Sequence, residues 1–261
     1  PHKLEYEKTF WPFILFSKKR YIGNKYEFKT GENDYKETSM GIVLKRRDNA
    51  DIVKHAYGGV IDILMNQKNV ELSITYLKGE LQKLLDGRFP MEMLIITKSL
   101  RGFYKNPQQI AHKVLADRIG VRDPGNKPKS NDRIPYVYIE TKEKHKLQGD
   151  RIETPEYIKE QDLKPDYMFY ITNQIMKPVA QIYSLIVENL DGFKYKPDYY
   201  KTKYRSLLGS KTPEKAREKI QNMRFDDTCD IVFGDIIRIA ENRKNKATTI
   251  TDFFNVVKKS K

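Results

Sequence analysis

Leu4-Glu-Tyr-Glu-Lys-Thr-Phe-Trp-Pro-Phe-Ile-Leu-Phe-Ser-Lys-Lys-Arg-Tyr-Ile-Gly23 sets two acids and a basic-aromatic cluster on adjacent strand-like runs. From Leu4 to Phe10, apolar Leu4, Tyr6 and Phe10 alternate with Glu5 and Glu7, and a period of two is that of a strand with one face buried. Both carboxylates then leave the same face, about 7 Å apart along the strand. Two acids so placed can share a hard divalent cation; the competing reading is a solvated strand face. After a Trp11-Pro12 break, Phe13 to Phe16 read as buried strand material. Lys18, Lys19 and Arg20 follow, beside the Tyr21 hydroxyl, and cations with an aromatic donor suit a segment that tracks a phosphate backbone.

Outward from this stretch the chain changes character. Arg20 to Phe28 continues as strand, and Lys29 to Lys36 is a polar link rich in turn formers. From Ala50 to about Asn69, Ile52, Val53, Ala56, Val60, Ile61, Leu64 and Met65 recur at helical spacing despite Gly58-Gly59. A second helix, Glu71 to Asp86, carries Leu77, Leu81, Leu84 and Leu85 and ends at Gly87 as a left-handed terminator. Met91 to Lys98 reads as a strand. Asn106-Pro107-Gln108-Gln109 is a start signal for a helix to Ile119. Asp123 to Asp132 is loop, Ile134 to Glu140 alternates as a strand, and Thr154-Pro155 opens a short helix. Asp166 to Leu190 is the longest helical pattern, with Pro178 bending or splitting it near Met176. Thr212-Pro213 starts another helix, to about Arg224. Phe225-Asp-Asp-Thr-Cys-Asp230 reads as a solvated loop or helix end. Strands followed by mostly helical material define an α+β protein.

The chain of 261 residues can bury a real core. Lys and Arg outnumber Asp and Glu by 49 to 35, a formal net charge of +14 that favours a polyanionic partner through counterion release. Cys229 is the single cysteine, which excludes an intramolecular disulfide framework and a cysteine zinc site. His2, His55, His112 and His145 show no ligand spacing. No run approaches the roughly 20 apolar residues of a membrane span, and no membrane partner is expected.

The opening stretch, with its Lys-Lys-Arg-Tyr signature, resembles the segment that closes the palm domain in family B DNA polymerases of the delta and large eukaryotic DNA virus type. Further matches occur in the family's order: Gly41-Ile-Val-Leu-Lys-Arg-Arg-Asp48, Ile96-Thr-Lys-Ser-Leu100, Tyr104 with Asn106-Pro107-Gln108 and His112, Asp132-Arg133-Ile-Pro-Tyr136-Val137, and Tyr170-Ile-Thr-Asn-Gln174 with Pro178 after it. The resemblance covers about residues 2 to 190. It implies the C-terminal part of an antiparallel palm sheet followed by a mainly helical thumb with small strands: end of palm over 1–48, thumb over 49–242, tail over 243–261. The family's Tyr-Gly-Asp-Thr-Asp-Ser hairpin and its earlier palm aspartate would precede residue 1. The chain is therefore expected to hold no catalytic residue and to be inactive without an N-terminal polymerase portion.

The resemblance also assigns roles. Lys18, Lys19, Arg20 and Tyr21 would lie along newly paired primer and template, where minor-groove acceptors are nearly independent of sequence. Lys45, Arg46 and Arg47, with Asp48, would hold the primer strand at the palm-to-thumb junction. Glu5 and Glu7 would border the Mg²⁺ or Mn²⁺ ions of the complete enzyme as accessory groups, near its dNTP site. Ser99, Tyr104, His112, Arg133 and Tyr136 match with mainly structural roles, and Tyr170, Gln174, Pro178 and Ile182, four apart, read as a packing stripe. In the tail, Ile250, Phe253 and Phe254 resemble the plug of a sliding-clamp binding box of the PCNA-like type. Ala247 stands where that pattern has Gln, a departure that weakens the contact. The expected setting is the host nucleus or a cytoplasmic viral replication compartment. The alternative, from another class, is a noncatalytic DNA-binding or clamp-associated module with a polymerase-like thumb.

Overall fold

The computed structural model describes residues 8–26, 35–46, 48–141 and 147–244. Three antiparallel strands open the chain in the order β1 (Thr9–Ser17), β2 (Arg20–Tyr26), β3 (Tyr35–Met40). β1 runs straight through the Trp11-Pro12 pair, which is a cis peptide, and takes up the irregularity as a register shift between Phe10 and Phe13. Ile14 pairs with Ile22, and Ile22 with Ser39, on the face turned to the core, where Ile22 is fully buried. Leu15, Tyr21 and Met40 share the other face. Trp11, Phe13 and Leu15 are exposed there, so the expected burial of Phe13 to Phe16 is corrected: Ile14 and Phe16 are half-buried, and the residues between them face outward because strand neighbours alternate. β3 was not foreseen; Tyr35-Lys-Glu-Thr-Ser-Met40 carries no apolar alternation and joins the sheet by backbone pairing with β2.

α1 (Asp51–Asp62) and α2 (Val70–Leu85) form a packed pair, α1 closing in a π turn at Ile63–Gln67. Asn69 caps α2 by accepting from the Leu72 N–H at 2.8 Å. A Cβ on Gly59 would lie 2.2 Å from the Tyr76 hydroxyl, so of the two glycines that weaken an isolated helix, Gly59 makes room for the Tyr76 ring of α2.

The second sheet, β4 (Ile96–Ser99), β5 (Arg133–Tyr138) and β6 (Ile152–Glu153), is antiparallel and small. Met91–Leu94 is a 3₁₀ turn and not the start of a strand. Between β4 and β5 lies α3 (Ala111–Arg122). Pro107–Gln109 forms only a 3₁₀ turn before it, with no side-chain cap from Asn106, so the expected helix starts later and runs further. Glu153 of β6, 5% exposed, receives both Arg122 Nη atoms at 3.0 and 2.8 Å and lies 2.9 Å from Arg118 Nε. Arg118 also donates to the carbonyls of Gly149 and Ile152, and Arg122 lies 3.7 Å over the Tyr157 ring. These contacts lock α3 to the sheet.

α4 (Pro155–Glu160) begins at Thr154, whose hydroxyl accepts from the Tyr157 N–H. α5 (Tyr167–Phe169) leads through a π-helical stretch, Tyr170–Ile175, into α6 (Met176–Tyr183). Pro178 has no N–H to offer the carbonyl one turn back, and the π stretch lies just before it, as the expected interruption near Met176 requires. The buried Tyr170 hydroxyl donates to the Leu94 carbonyl at 2.7 Å and accepts from the Tyr138 N–H at 3.0 Å. Burial drives its pKa far above the usual phenol value.

α7 (Tyr199–Leu208) and α8 (Pro213–Lys244) complete the described chain. α8 packs on α2, α6 and α7. Its length corrects two expectations: it does not stop near Arg224, and Phe225 to Asp230 is helix interior. Thr228 returns its hydroxyl to the Arg224 carbonyl at 2.7 Å and Asp227 accepts the Tyr200 hydroxyl at 2.6 Å, so the polar residues that weaken helix propensity have partners here.

Candidate nucleic-acid interface

Lys18 and Lys19 form the turn between β1 and β2, and both are exposed. Lys19 takes a left-handed φ of 64°. Its carbonyl lies where a Cβ on Gly41 would come within 2.4 Å, and Gly41 itself has φ +62°. Only glycine lets the end of β3 close on this turn, which gives the glycine of the Gly41 to Asp48 motif a physical reason.

The structure divides the Lys18 to Tyr21 cluster between two faces. Arg20 points with Ile22 toward the helices: its Nη2 donates to Gln181 Oε1 of α6 at 2.7 Å, and its guanidinium lies 5.9 Å over the Phe16 ring. Burial pushes the neighbouring Tyr57 phenol up to about 12, with Arg20 opposing. Tyr21 points the other way, its ring 5.7 Å from Phe10 and 5.6 Å from Phe13. Period-two alternation makes that division unavoidable.

Arg20 contributes one wall of an open cleft of about 260 Å³, together with Val43, Arg46, Asn49, Asn173 and Lys177. Gln174, Pro178 and Gln181 complete it. The expected packing stripe is corrected: Tyr170 and Ile182 are buried, but Gln174 and Pro178 are half-buried and line the cleft, and the fully buried row at spacing four is the adjacent one, Ile171, Ile175, Val179 and Tyr183. Lys177 and Gln181 are not singled out in the sequence; the signal available is their place on the polar side of the Tyr170 to Ile182 run.

Arg46 grips Asp48 through two bonds, of 3.1 and 3.0 Å, and Asp48 also accepts from Lys98 of β4 at 2.7 Å. Arg46 and Lys98 hold the Asp48 carboxyl well below the ordinary carboxylate range despite partial burial, and the same bond raises Arg46. Asp48 thus ties the loop after β3 to the second sheet and fixes Arg46 at the cleft's edge. Lys45 closes the 3₁₀ turn Val43–Lys45. Arg47, Glu5, Glu7, Ile250, Phe253 and Phe254 lie outside the described residues. Among the described residues, no group of three or more His, Cys, Asp or Glu is arranged to hold a metal, and no helix is long and apolar enough to cross a membrane.

Tyr104 accepts from the Arg101 N–H at 2.8 Å and meets His112 Nε2 at 3.1 Å. Burial, then Lys98, lowers the His112 pKa. Tyr136 is buried, and Ser99 pairs with an exposed Arg133 at the end of β4.

This arrangement of a basic strand turn, a polar cleft and a helical body has a family. The family model described as DNA polymerase family B matches residues 1–186, and the chain belongs to that family. Among its relatives, the DNA polymerase of Pyramimonas orientalis virus is 50% identical over 98% of this chain, which spans 21% of that relative's length. The DNA polymerase of Acanthamoeba polyphaga mimivirus is 50% identical over 75% of this chain and 11% of its own length. The DNA polymerase delta catalytic subunit of Glycine max is 34% identical over 72% of this chain and 17% of its own. The solved family B DNA polymerase of Pyrobaculum calidifontis superposes with a TM-score of 0.50 at 18% identity, over 70% of this chain and 22% of that one, a likeness of fold. The chain thus spans about a fifth or less of these proteins.

Proposed function

We propose that this chain is the end of the palm (residues 1–48) and the thumb (49–242) of a DNA-directed DNA polymerase, followed by a clamp-binding tail (243–261), and that its work is to grip primer-template duplex. The observation that carries this reading is the exposed Lys18-Lys19 turn, held by Gly41 beside the Arg20 and Arg46 cleft. Cations on a rigid turn can meet phosphates or minor-groove acceptors without reading sequence. Arg20, with the Gln181 side-chain oxygen as its partner, would position the turn and not itself be a free phosphate ligand.

In the complete enzyme a primer 3′ hydroxyl would attack a dNTP in line and release pyrophosphate. The Mg²⁺ or Mn²⁺ ions would stabilise the attacking and leaving oxygens. The part proposed for the residues of this chain is alignment of the primer strand, a contribution through positioning. An N-terminal polymerase portion would supply the catalytic aspartates. The outward row of Trp11, Phe13 and Leu15 on β1 is an apolar surface suited to such a partner.

Lys18→Ala is expected to weaken binding to a primer-template duplex several-fold and to make the plot of log affinity against log salt shallower by about one. Fluorescence anisotropy across salt concentrations measures both, and superimposable curves would remove Lys18 from the interface. For the tail, replacing Phe253 and Phe254 by Ala is expected to abolish binding to a PCNA-like clamp while basal extension by the assembled enzyme stays the same. Clamp affinity that survives the double substitution would end that assignment.

A further inference from the structure

Beyond residue 186, where the family match ends, Glu188 to Asp198 forms most of an open cleft of about 620 Å³ against the first turn of α2. The cleft has the opposite character to the rest of the molecule. Four acids line it, Glu71, Glu188, Asp191 and Asp198, with no Lys or Arg among its lining residues, in a chain whose total charge is +14. Such a lining repels a polyanion, so the cleft is not a seat for nucleic acid. Two of the acids are already paired: Glu188 lies 3.2 Å from Arg224 Nη1, and Asp198 lies 2.7 Å from Lys201 Nζ. Glu71 and Asp191 are exposed and have no ion-pair partner among the described residues. Phe193 and Tyr195 form an aromatic wall, their centroids 5.5 Å apart, and Tyr195 is held by stacking on Tyr199 at 3.9 Å. Two free acids beside accessible aromatic rings suit an occupant that carries both cations and apolar side chains.

The chain itself contains such an occupant. Residues 245–261, outside the described residues, carry four Lys against one Asp, with Phe253, Phe254, Val256 and Val257 directly before Lys258 and Lys259. The cleft lies beside the middle of α8: a Cβ on Gly192 would meet the Ile231 side chain at 3.6 Å, and Asp227 raises the pKa of the Tyr195 phenol. From Ile231 to Lys244, α8 runs on for about 20 Å. Lys258 follows 14 residues after Lys244, and a chain of that length spans up to about 46 Å. The reach is ample for a return to the cleft.

We propose that this cleft is a dock for the chain's own tail, with Phe253 to Val257 against the Phe193 and Tyr195 rings and Lys258 and Lys259 beside Glu71 and Asp191. The tail aromatics cannot fill the cleft and a clamp pocket at once, so docking makes clamp binding competitive. That consequence rests on the clamp-binding reading of the tail; the docking itself does not.

The test treats the whole chain, in dilute solution, with a carbodiimide that joins amines to carboxylates in direct contact, and maps the joined peptides by mass spectrometry. Within the monomer, Lys258 or Lys259 is expected to join Glu71 or Asp191 at a yield about threefold or more above that for exposed Glu156 of α4. No coupling, equal coupling to Glu156, or coupling only between two chains would overturn the docking. In parallel, the variant Glu71→Gln, Asp191→Asn is expected to bind a PCNA-like clamp about threefold or more tightly than wild type, because a larger share of tails is free. Equal clamp affinity in the two would overturn the competition. A wild-type chain that couples as expected but binds no clamp supports the dock and defeats the clamp reading.

Discussion

Replacing Glu153 by Ala is expected to lower the stability of the chain by about 3 kcal/mol, the lower end of the cost of breaking a buried ion pair, because the Arg118 and Arg122 side chains left behind are 25% and 34% exposed. The carboxylate is 5% exposed and takes three contacts of 2.8 to 3.0 Å from Arg118 and Arg122. Without it, two partly exposed guanidinium groups remain against α3 and β6, with the Gly149 and Ile152 carbonyls, the Tyr157 ring and solvent to meet them. The loss is one of desolvation more than of attraction, because the arginines cannot shed their charge. Glu153→Gln should fall between, since it keeps acceptor oxygen but not the ion pairs. Urea unfolding followed by circular dichroism checks the order wild type, Gln, Ala. A midpoint for the Ala variant equal to wild type would mean that the cluster contributes nothing to holding the second sheet on α3.

The second large effect concerns activity. The chain alone is expected to give no template-dependent primer extension, and extension is expected to appear when it is joined to an N-terminal portion carrying the family's aspartates. Among the described residues no group of three or more His, Cys, Asp or Glu is arranged to hold a metal, and of the Phe225 to Asp230 acids, which lie along α8, Asp227 is bonded to Tyr200. A primer-extension assay with Mg²⁺ separates the outcomes. Incorporation by the chain alone would refute this division of labour, and failure of the joined protein would favour a noncatalytic binding module.

Where local chemistry alone determines an element, the sequence was a sufficient guide. The Thr154-Pro155 start and the leucines of α2 act over one or two turns, and each stands in the structure as expected. β3 escaped notice because its place is set by pairing with β2 and not by its own pattern. α8 reads as too polar to be one helix, yet Phe225, Cys229, Val232, Ile236 and Ala240 recur at spacings of four and three among its buried and half-buried residues. The basic turn was legible from Lys18 to Tyr21, but its division into two faces comes from strand geometry, and the partners of Arg20 and Asp48 come from 161 and 50 residues away. Long-range pairs such as Arg20 with Gln181 leave no mark in local spacing.

The central claim is that the β1–β2 turn lies against duplex DNA. A photo-crosslinking side chain placed at Ser17, exposed at the end of β1 with the neighbouring cations left intact, tests it most directly. On irradiation with primer-template, position 17 is expected to attach to duplex close to the primer 3′ end, and a probe at exposed Lys127 is not. DNA attached from position 127 and none from position 17 would contradict the claim.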